Sequence, residues 1–246
     1  MENSFDILNS YFDKILVITL DRATDRHQEI KEQLKGLNFE FFYGVDKYNF
    51  TLEETIKNNV YDDVESRKQD LCKNGMSLGS IACSWSHLNV YKEVLEKGYE
   101  KVLIFEDDAK VIKENIKYLN DIISQLPNDW ELLYLGYIKN TNFGFPEKIK
   151  NLFYQIYSAL GFGFYSRQEY KNYFSKPFST NLRIAGYHDC AHSYAITKSC
   201  AETLVREHTP IIYRADNLLS RLIIKNKIKA YISVPPIFMQ DFLTSL

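Results

Sequence analysis

The run Val102-Leu103-Ile104-Phe105 ends in three consecutive carboxylates, Glu106, Asp107 and Asp108. Like charges that close repel and raise one another's pKa, so the cluster is costly unless something offsets it. A divalent cation would do so, since Mg2+ and Mn2+ choose carboxylate oxygens and often share them with a substrate's phosphates. A solvated turn that merely ends a strand is the competing reading. If strand alternation persists through the triplet, Glu106 and Asp108 lie on one side and Asp107 on the other. Acid-x-acid on one side suits a metal ion bridging a nucleotide diphosphate, where it would offset charge on a departing diphosphate.

Two other stretches carry residues of matching chemistry. The turn Thr19-Leu20-Asp21-Arg22, with Arg26 one helical turn later, falls at the carboxyl end of a predicted strand and the start of a predicted helix. Ligands bind beyond the carboxyl ends of strands in open parallel sheets, and helix N-termini attract phosphate. Arg22 and Arg26 could hold a diphosphate while Asp21 reaches a ribose or base; solvated charges on a surface turn are the alternative. No G-x-G-x-x-G occurs, so this is not a Gly-rich dinucleotide loop. The second stretch runs from Ser77 to His87, where Gly79, Ser80, Ala82, Cys83 and Ser84 open a helix without bulk and permit close approach of a ligand or backbone. His87 sits two residues after Trp85 on that helix, as a packing residue or as part of a site.

Positioning these groups requires a sheet with helices on it. Lys14 to Leu20 and Phe39 to Val45 read as strands, with a helix from Thr24 or Asp25 to about Leu37 between them. From Thr51 to Asn74 the chain is polar, with short helical stretches at best. Ser77 to Lys97 is a long helix stopped by Gly98, and Lys101 to Phe105 is the strand that delivers the acids. A helix over Lys113 to Leu126, a strand over Glu131 to Gly136, and later a strand over Asp189 to Thr197 follow. Helices over Lys198 to Glu207 and Ala215 to Lys225 and a strand over Lys227 to Val234 complete the pattern. Alternation of this kind predicts an α/β fold with a mostly parallel sheet flanked by helices.

Between Tyr137 and Arg183 the pattern changes: aromatics crowd in, Phe143 among them, with seven basic residues against two acidic ones. We read the chain as one domain over 1–246 with 137–183 as an aromatic and basic insertion. Within it Ile149, Leu152, Phe153, Ile156, Tyr157 and Leu160 share one helical face. The default reading packs that face on the main domain; the sharper one lays it on a bilayer near a lipid-linked substrate.

The chain has 246 residues, net charge -2 and 15% aromatics, from 18 Tyr, 16 Phe and 2 Trp. That charge excludes a globally basic nucleic-acid binder. Cys72, Cys83, Cys190 and Cys200 form no C-x-x-C pair and read as small buried hydrophobes in a reducing compartment. No positively charged leader with an apolar core and no bilayer-length apolar run is visible. The expectation is a cytoplasmic protein, in peripheral contact with the inner membrane on the sharper reading of the aromatic helix.

Three segments, in order and spacing, carry a family resemblance: ILVITLDRATDR (15–26), SLGSIACSWSHLNVYKEVLEKGYEKVLIFEDDAKV (77–111) and AHSYAITKSCAETLV (191–205), the last followed by Pro210 and Asp216. Together they make up about a quarter of the chain. The chain resembles the bacterial lipooligosaccharide glycosyltransferases of glycosyltransferase family 25, a family that also includes collagen-modifying galactosyltransferase domains. The resemblance implies a GT-A-like fold, a nucleotide-sugar donor and inversion at the anomeric carbon. It puts Thr19, Asp21, Arg22 and Arg26 beside the nucleotide, Ser86 and His87 near the donor, and Glu106 to Asp108 at the metal. The insertion matches no family motif, so the acceptor does not transfer.

An inverting transfer needs a base for the acceptor hydroxyl's proton, and Asp189 and Asp216 are the candidates; Asp216 is favoured for a donor or acceptor contact, with service as a helix N-cap its rival reading. His188, Cys190 and His192 fall on one strand face by period two, which makes His192 a candidate third metal ligand and core packing its rival. The expected activity is transfer of a hexose, with galactose favoured by the resemblance, from a UDP-sugar to a terminal sugar of a lipooligosaccharide or other surface glycan, with Mn2+ or Mg2+. A carbohydrate- or membrane-binding protein of the same fold without catalysis is the alternative. A sugar nucleotidyltransferase is disfavoured by the lack of a Gly-rich loop with an adjacent Lys.

Overall fold

Strand β3 (Lys101–Glu106) explains why the apolar run before the acids shows no polar alternation. Val102 and Ile104 are buried in one core and Leu103 and Phe105 in another, so both faces of the strand are covered. The computed structural model describes residues 5–69, 74–140 and 144–241; Cys72 and Phe143 lie outside the described residues.

In chain order the elements are α1 (Asp6–Tyr11), β1 (Lys14–Thr19), α2 (Thr24–Gln33), β2 (Glu40–Tyr43), α3 (Leu52–Lys57), α4 (Asp63–Gln69), α5 (Leu78–Lys97), β3, and β4 (Ala109–Val111). A 3-10 turn over Lys113–Tyr118 leads into α6 (Leu119–Ser124), then β5 (Leu132–Ile138), α7 (Phe145–Ala159), α8 (Arg167–Lys171), β6 (Lys176–Pro177) and β7 (Leu182–Ile184). The chain continues through β8 (Asp189–Thr197), α9 (Lys198–Glu207), α10 (Ala215–Ile224), β9 (Ala230–Ser233) and β10 (Phe238–Gln240).

The main sheet has the order β2-β1-β3-β8-β5-β9-β7-β6, and β4 pairs with β10 apart from it. Strands β2, β1 and β3 are parallel, as are β5 and β9, while β8 runs antiparallel between β3 and β5 and β7 antiparallel to β9. The sheet is therefore mostly parallel, as expected, with β8 and β7 reversed. One core lies under α5, α9 and α10 and the other under α1, α2 and α6, which gives helices on both faces.

Local signals set the boundaries. Ser77 caps α5 by accepting from Ser80 N, and Gly98 ends it at φ 72, a left-handed position that suits glycine. The expected helix over 113–126 is instead a 3-10 turn followed by α6: no side chain caps it at Ile112, and Asn115 is drawn off to donate to the Pro236 carbonyl. The expected face formed by His188, Cys190 and His192 does not exist. Cys190 adopts φ 69 and the register of β8 on β5 shifts twice, so period-two counting fails across it. His188 lies against Tyr134 and Tyr137, whereas His192 packs on Gly136, where an added Cβ would collide with the imidazole.

Candidate active site

The parallel strands β1 and β3 are adjacent in register, Ile18 beside Glu106, so their carboxyl ends open at one edge. There the β1–α2 turn, the first turns of α5 and the acidic triplet enclose a cleft of about 260 Å³ lined by Thr19, Arg22, Arg26, Gly79, Cys83 and Glu106 among others. Ser86, His87, Asp107 and Asp108 line it too. A second cavity of about 330 Å³ shares Gly79, Cys83 and Glu106 with it and extends to Ser84, Cys190, Arg214, Asp216 and Gln240. The two hollows thus meet at one wall, beside a carboxylate.

The triplet does not divide as alternation predicts. The strand ends at Glu106 and Asp107-Asp108 form a turn, so each acid takes a different anchor. Glu106 Oε1 is 3.1 Å from His87 Nε2. Because a carboxylate only accepts, that ring nitrogen donates. His87 Nδ1 is 2.7 Å from the Tyr194 hydroxyl, which is 2.9 Å from that of Tyr91. Both nitrogens of the buried His87 are therefore engaged, and the residue anchors Glu106 at the wall of the cleft. Burial pushes Glu106 upward, but the hydrogen bond and charge of His87 outweigh it and hold the carboxyl below its usual value.

Asp107 accepts from Thr19 Oγ1 at 2.6 Å and from Arg26 Nη1 at 2.7 Å, tying β3 to the β1–α2 turn. Arg26 Nη2 is buried without a partner, a donor left over beside the cleft. Arg22 is held by Asp46 and lies over the Tyr48 ring at 5.1 Å. Asp21 is exposed on the turn and is not among the residues lining the cleft. Ser86 Oγ donates to the Ala82 carbonyl and accepts from Val45 N, both at 2.8 Å; it fastens the loop after β2 to α5.

Asp108 Oδ2 accepts from Gln240 Nε2 at 2.9 Å, while Asp108 Oδ1 and Gln240 Oε1 are buried without partners. Burial, then the nearby Glu106 charge, push the Asp108 carboxyl up to about 6. A half-buried pair of acids, one with an oxygen buried and unpartnered, is the environment that a divalent cation would relieve, so Glu106 and Asp108 fit such an ion. Among the described residues the His, Cys and acidic ligand atoms lying within 4.8 Å of one another belong to Cys83, His87 and Glu106. Among those residues neither Asp108 nor His192 belongs to a cluster of three such ligand atoms, although the charge of Glu106 acts on both. The period-two argument brought His192 forward, and the bulge in β8 turns it toward the Phe238 carbonyl at 3.4 Å, its Nδ1 buried and unpartnered. Burial holds its pKa low.

The two base candidates part company. Asp189 is half exposed, ion-paired with Lys139 at 3.2 Å, and lines neither hollow. Asp216 lines the second cavity, accepts from Cys190 N at 3.1 Å and Asn217 N at 2.8 Å, and is raised by burial against those hydrogen bonds. It is not a helix N-cap, since that position is Arg214. Sequence reasoning missed Gln240, Tyr194 and the placement of Cys83. Gln240 sits in a three-residue strand beyond Pro235-Pro236, with no pattern to flag it. Cys83 is exposed, Cys190 half-buried and Cys200 buried, so only the last matches the reading of buried hydrophobes.

A helix-flanked, mostly parallel sheet with an Arg-bearing turn and an acidic triplet at one edge defines an α/β protein of GT-A-like architecture. The model of glycosyltransferase family 25 (LPS biosynthesis protein) matches residues 12–219, and the chain belongs to that family. Similar curated proteins include human procollagen galactosyltransferase 2, 29% identical over 130 residues, covering 51% of this chain and 21% of that protein. Procollagen galactosyltransferase 1-A of Xenopus laevis is 26% identical over 161 residues, covering 62% and 26%. The human inactive glycosyltransferase 25 family member 3 is 25% identical over 130 residues, covering 51% and 22%. The matched part is thus about a fifth to a quarter of those relatives' length. Among solved structures, a glycosyltransferase involved in glycosylation of the major capsid of PBCV-1 aligns over 94% of this chain and 93% of that one at 13% identity and TM-score 0.43.

Proposed function

We propose that the chain is an inverting hexosyltransferase that takes a nucleotide sugar in the cleft and an acceptor hydroxyl in the adjoining cavity. The observation that carries this reading is the shared wall: the hollow with Arg22 and Arg26 and the hollow with Asp216 meet at Gly79, Cys83 and Glu106. Arg22 and the spare Nη2 of Arg26 hold the donor diphosphate by charge-assisted hydrogen bonds. Glu106 and Asp108 would hold a divalent cation, which would offset charge on the departing diphosphate. His87, backed by Tyr194 and Tyr91, keeps Glu106 in place. The acceptor oxygen forms its bond to the anomeric carbon as the bond to the diphosphate breaks, and the hydroxyl proton passes to Asp216. Its raised pKa makes that carboxylate a better base than an exposed one.

UDP-galactose is the donor we favour, because two of the three curated relatives named above are galactosyltransferases. The family's description as LPS biosynthesis protein supports a surface glycan, such as a lipooligosaccharide, as acceptor, made at the cytoplasmic side. A panel of UDP-sugars with Mn2+ or Mg2+, read as released UDP, tests the proposal. UDP-galactose should turn over slowly even without acceptor, and Asp108→Asn should abolish that turnover. No hydrolysis of any UDP-sugar and no UDP binding would sink it. That several relatives are named inactive favours a second reading, a glycan-binding protein without catalysis, which predicts sugar binding with no UDP release. Against it stands Asp108, whose costly buried charge a binding module does not need.

A further inference from the structure

Helix α7 sits inside out. Its polar positions Glu147, Asn151, Tyr154, Gln155 and Ser158 are the partly covered ones, while Phe145, Ile149, Leu152, Phe153, Ile156 and Tyr157 are exposed. Leu152 is 58% and Phe153 66% exposed, and no residue of the helix is buried. The default expectation, that this face packs on the main domain, is reversed. The inward stripe is satisfied where it is: Ser158 Oγ donates to the Tyr165 carbonyl at 2.7 Å, and Tyr154 packs on the Tyr170 ring at 5.2 Å. Exposing a continuous apolar face costs free energy that a water-surrounded helix does not recover.

The charges around that face name what covers it. At about 100° per residue, Lys148 and Lys150 fall on opposite margins of the apolar arc, where long stems can lie along a bilayer while the ammonium groups stay at the headgroups. Beside the helix a cavity of about 240 Å³ is lined by Lys148, Lys171, Lys176 and Arg183 with Glu147 as its one acid. A chain of net charge -2 thus concentrates cations around this large exposed apolar face. Exposed Phe162 and Phe164 extend that face past the helix end. Strand β5, which precedes α7, runs parallel to β9 and opposite to β8, hence in the direction of β1 and β3. Strand β5 therefore ends at the side of the sheet that holds the cleft.

We propose that α7 and the aromatic turn after it dock the chain on an anionic lipid surface. The apolar arc enters the headgroup boundary and the flanking lysines meet lipid phosphates. The docking does not depend on which sugar is transferred, or on transfer at all. No helix among the described residues is long and apolar enough to cross a membrane, so the contact is peripheral.

Co-sedimentation of the full chain with vesicles of phosphatidylcholine alone, or of phosphatidylcholine with phosphatidylglycerol at 7:3, tests it, with analytical ultracentrifugation in parallel. The expected result is binding to the anionic vesicles at least tenfold tighter than to the neutral ones. The triple variant Leu152→Gln, Phe153→Gln, Ile156→Gln should weaken it at least tenfold, with unchanged circular dichroism and UDP release. The double variant Lys148→Glu, Lys150→Glu leaves the apolar face intact and should lose the preference for anionic lipid. Equal binding by the parent and both variants, or no vesicle binding, overturns the proposal. So does a parent dimer that the triple variant dissociates, since a second copy would then be what covers the face. Loss of UDP release with vesicle binding intact would count against the transferase alone.

Discussion

Replacing Asp108 with Asn should make the protein more stable while abolishing its chemistry, and only at a pH where the carboxyl is charged. Burial and the neighbouring Glu106 hold Asp108 at about 6, against 3.8 for an unperturbed side chain. That difference corresponds to about 3 kcal/mol at full ionisation, and residual solvent access around a partly buried group reduces the expected figure to about 1–2 kcal/mol. The sign follows from the direction. With the folded pKa raised, stability is fully present below the unfolded value and is lost as pH rises through about 6. Asn, neutral at every pH, accepts from Gln240 Nε2 as Asp108 does but escapes the charge. In chelator at pH 8 the Asn variant should melt higher, at roughly 2–4 °C per kcal/mol for a chain of this size, and the advantage should vanish near pH 4. Adding Mn2+ with UDP should raise the melting temperature of the parent and not of the variant. Calorimetry or dye-based melting from pH 4 to 8 measures all of this. An Asn variant less stable than the parent at pH 8 in chelator, or a difference indifferent to pH, would refute the reasoning about this carboxyl.

Asp216→Asn should remove transfer to acceptor while leaving UDP binding near the parent value. In the parent, transfer should fall as pH drops through the raised Asp216 pKa, as a pH–rate profile would show. Tyr194→Phe strips the partner from His87 Nδ1 and from the Tyr91 hydroxyl; leaving buried groups unpaired should cost about 1–3 kcal/mol in urea denaturation. Gly136→Ala should cost about 1–3 kcal/mol, because the new Cβ meets the His192 imidazole and the Phe238 carbonyl; a lower urea midpoint with unchanged slope would report it.

Much of the fold was legible because its signals are local. Ser77 and Gly98 bound α5 where cap chemistry puts them, Asp189–Thr197 is a strand with the expected limits, and Lys198–Glu207 is a helix with the expected limits. The site was legible as types of residue but not as partnerships. Alternation could not foresee that the strand stops at Glu106, sending the three acids to His87, to Thr19 and Arg26, and to Gln240. Nor could period two survive the left-handed turn at Cys190, so His188, Cys190 and His192 do not share a face.

The residues alone determined that an acidic triplet follows a buried strand, that arginines follow another, and that 147–160 is a two-sided helix, because each of these depends on neighbours within a few positions. Tertiary structure decided which partners those groups meet and which way the helix turns. The triplet became three separately anchored carboxylates because strands distant in sequence end together. Helix α7 turned its apolar side outward because the surface beneath it offers a carbonyl and tyrosine rings to its polar stripe, and no periodicity encodes the chemistry of the ground on which a helix lies.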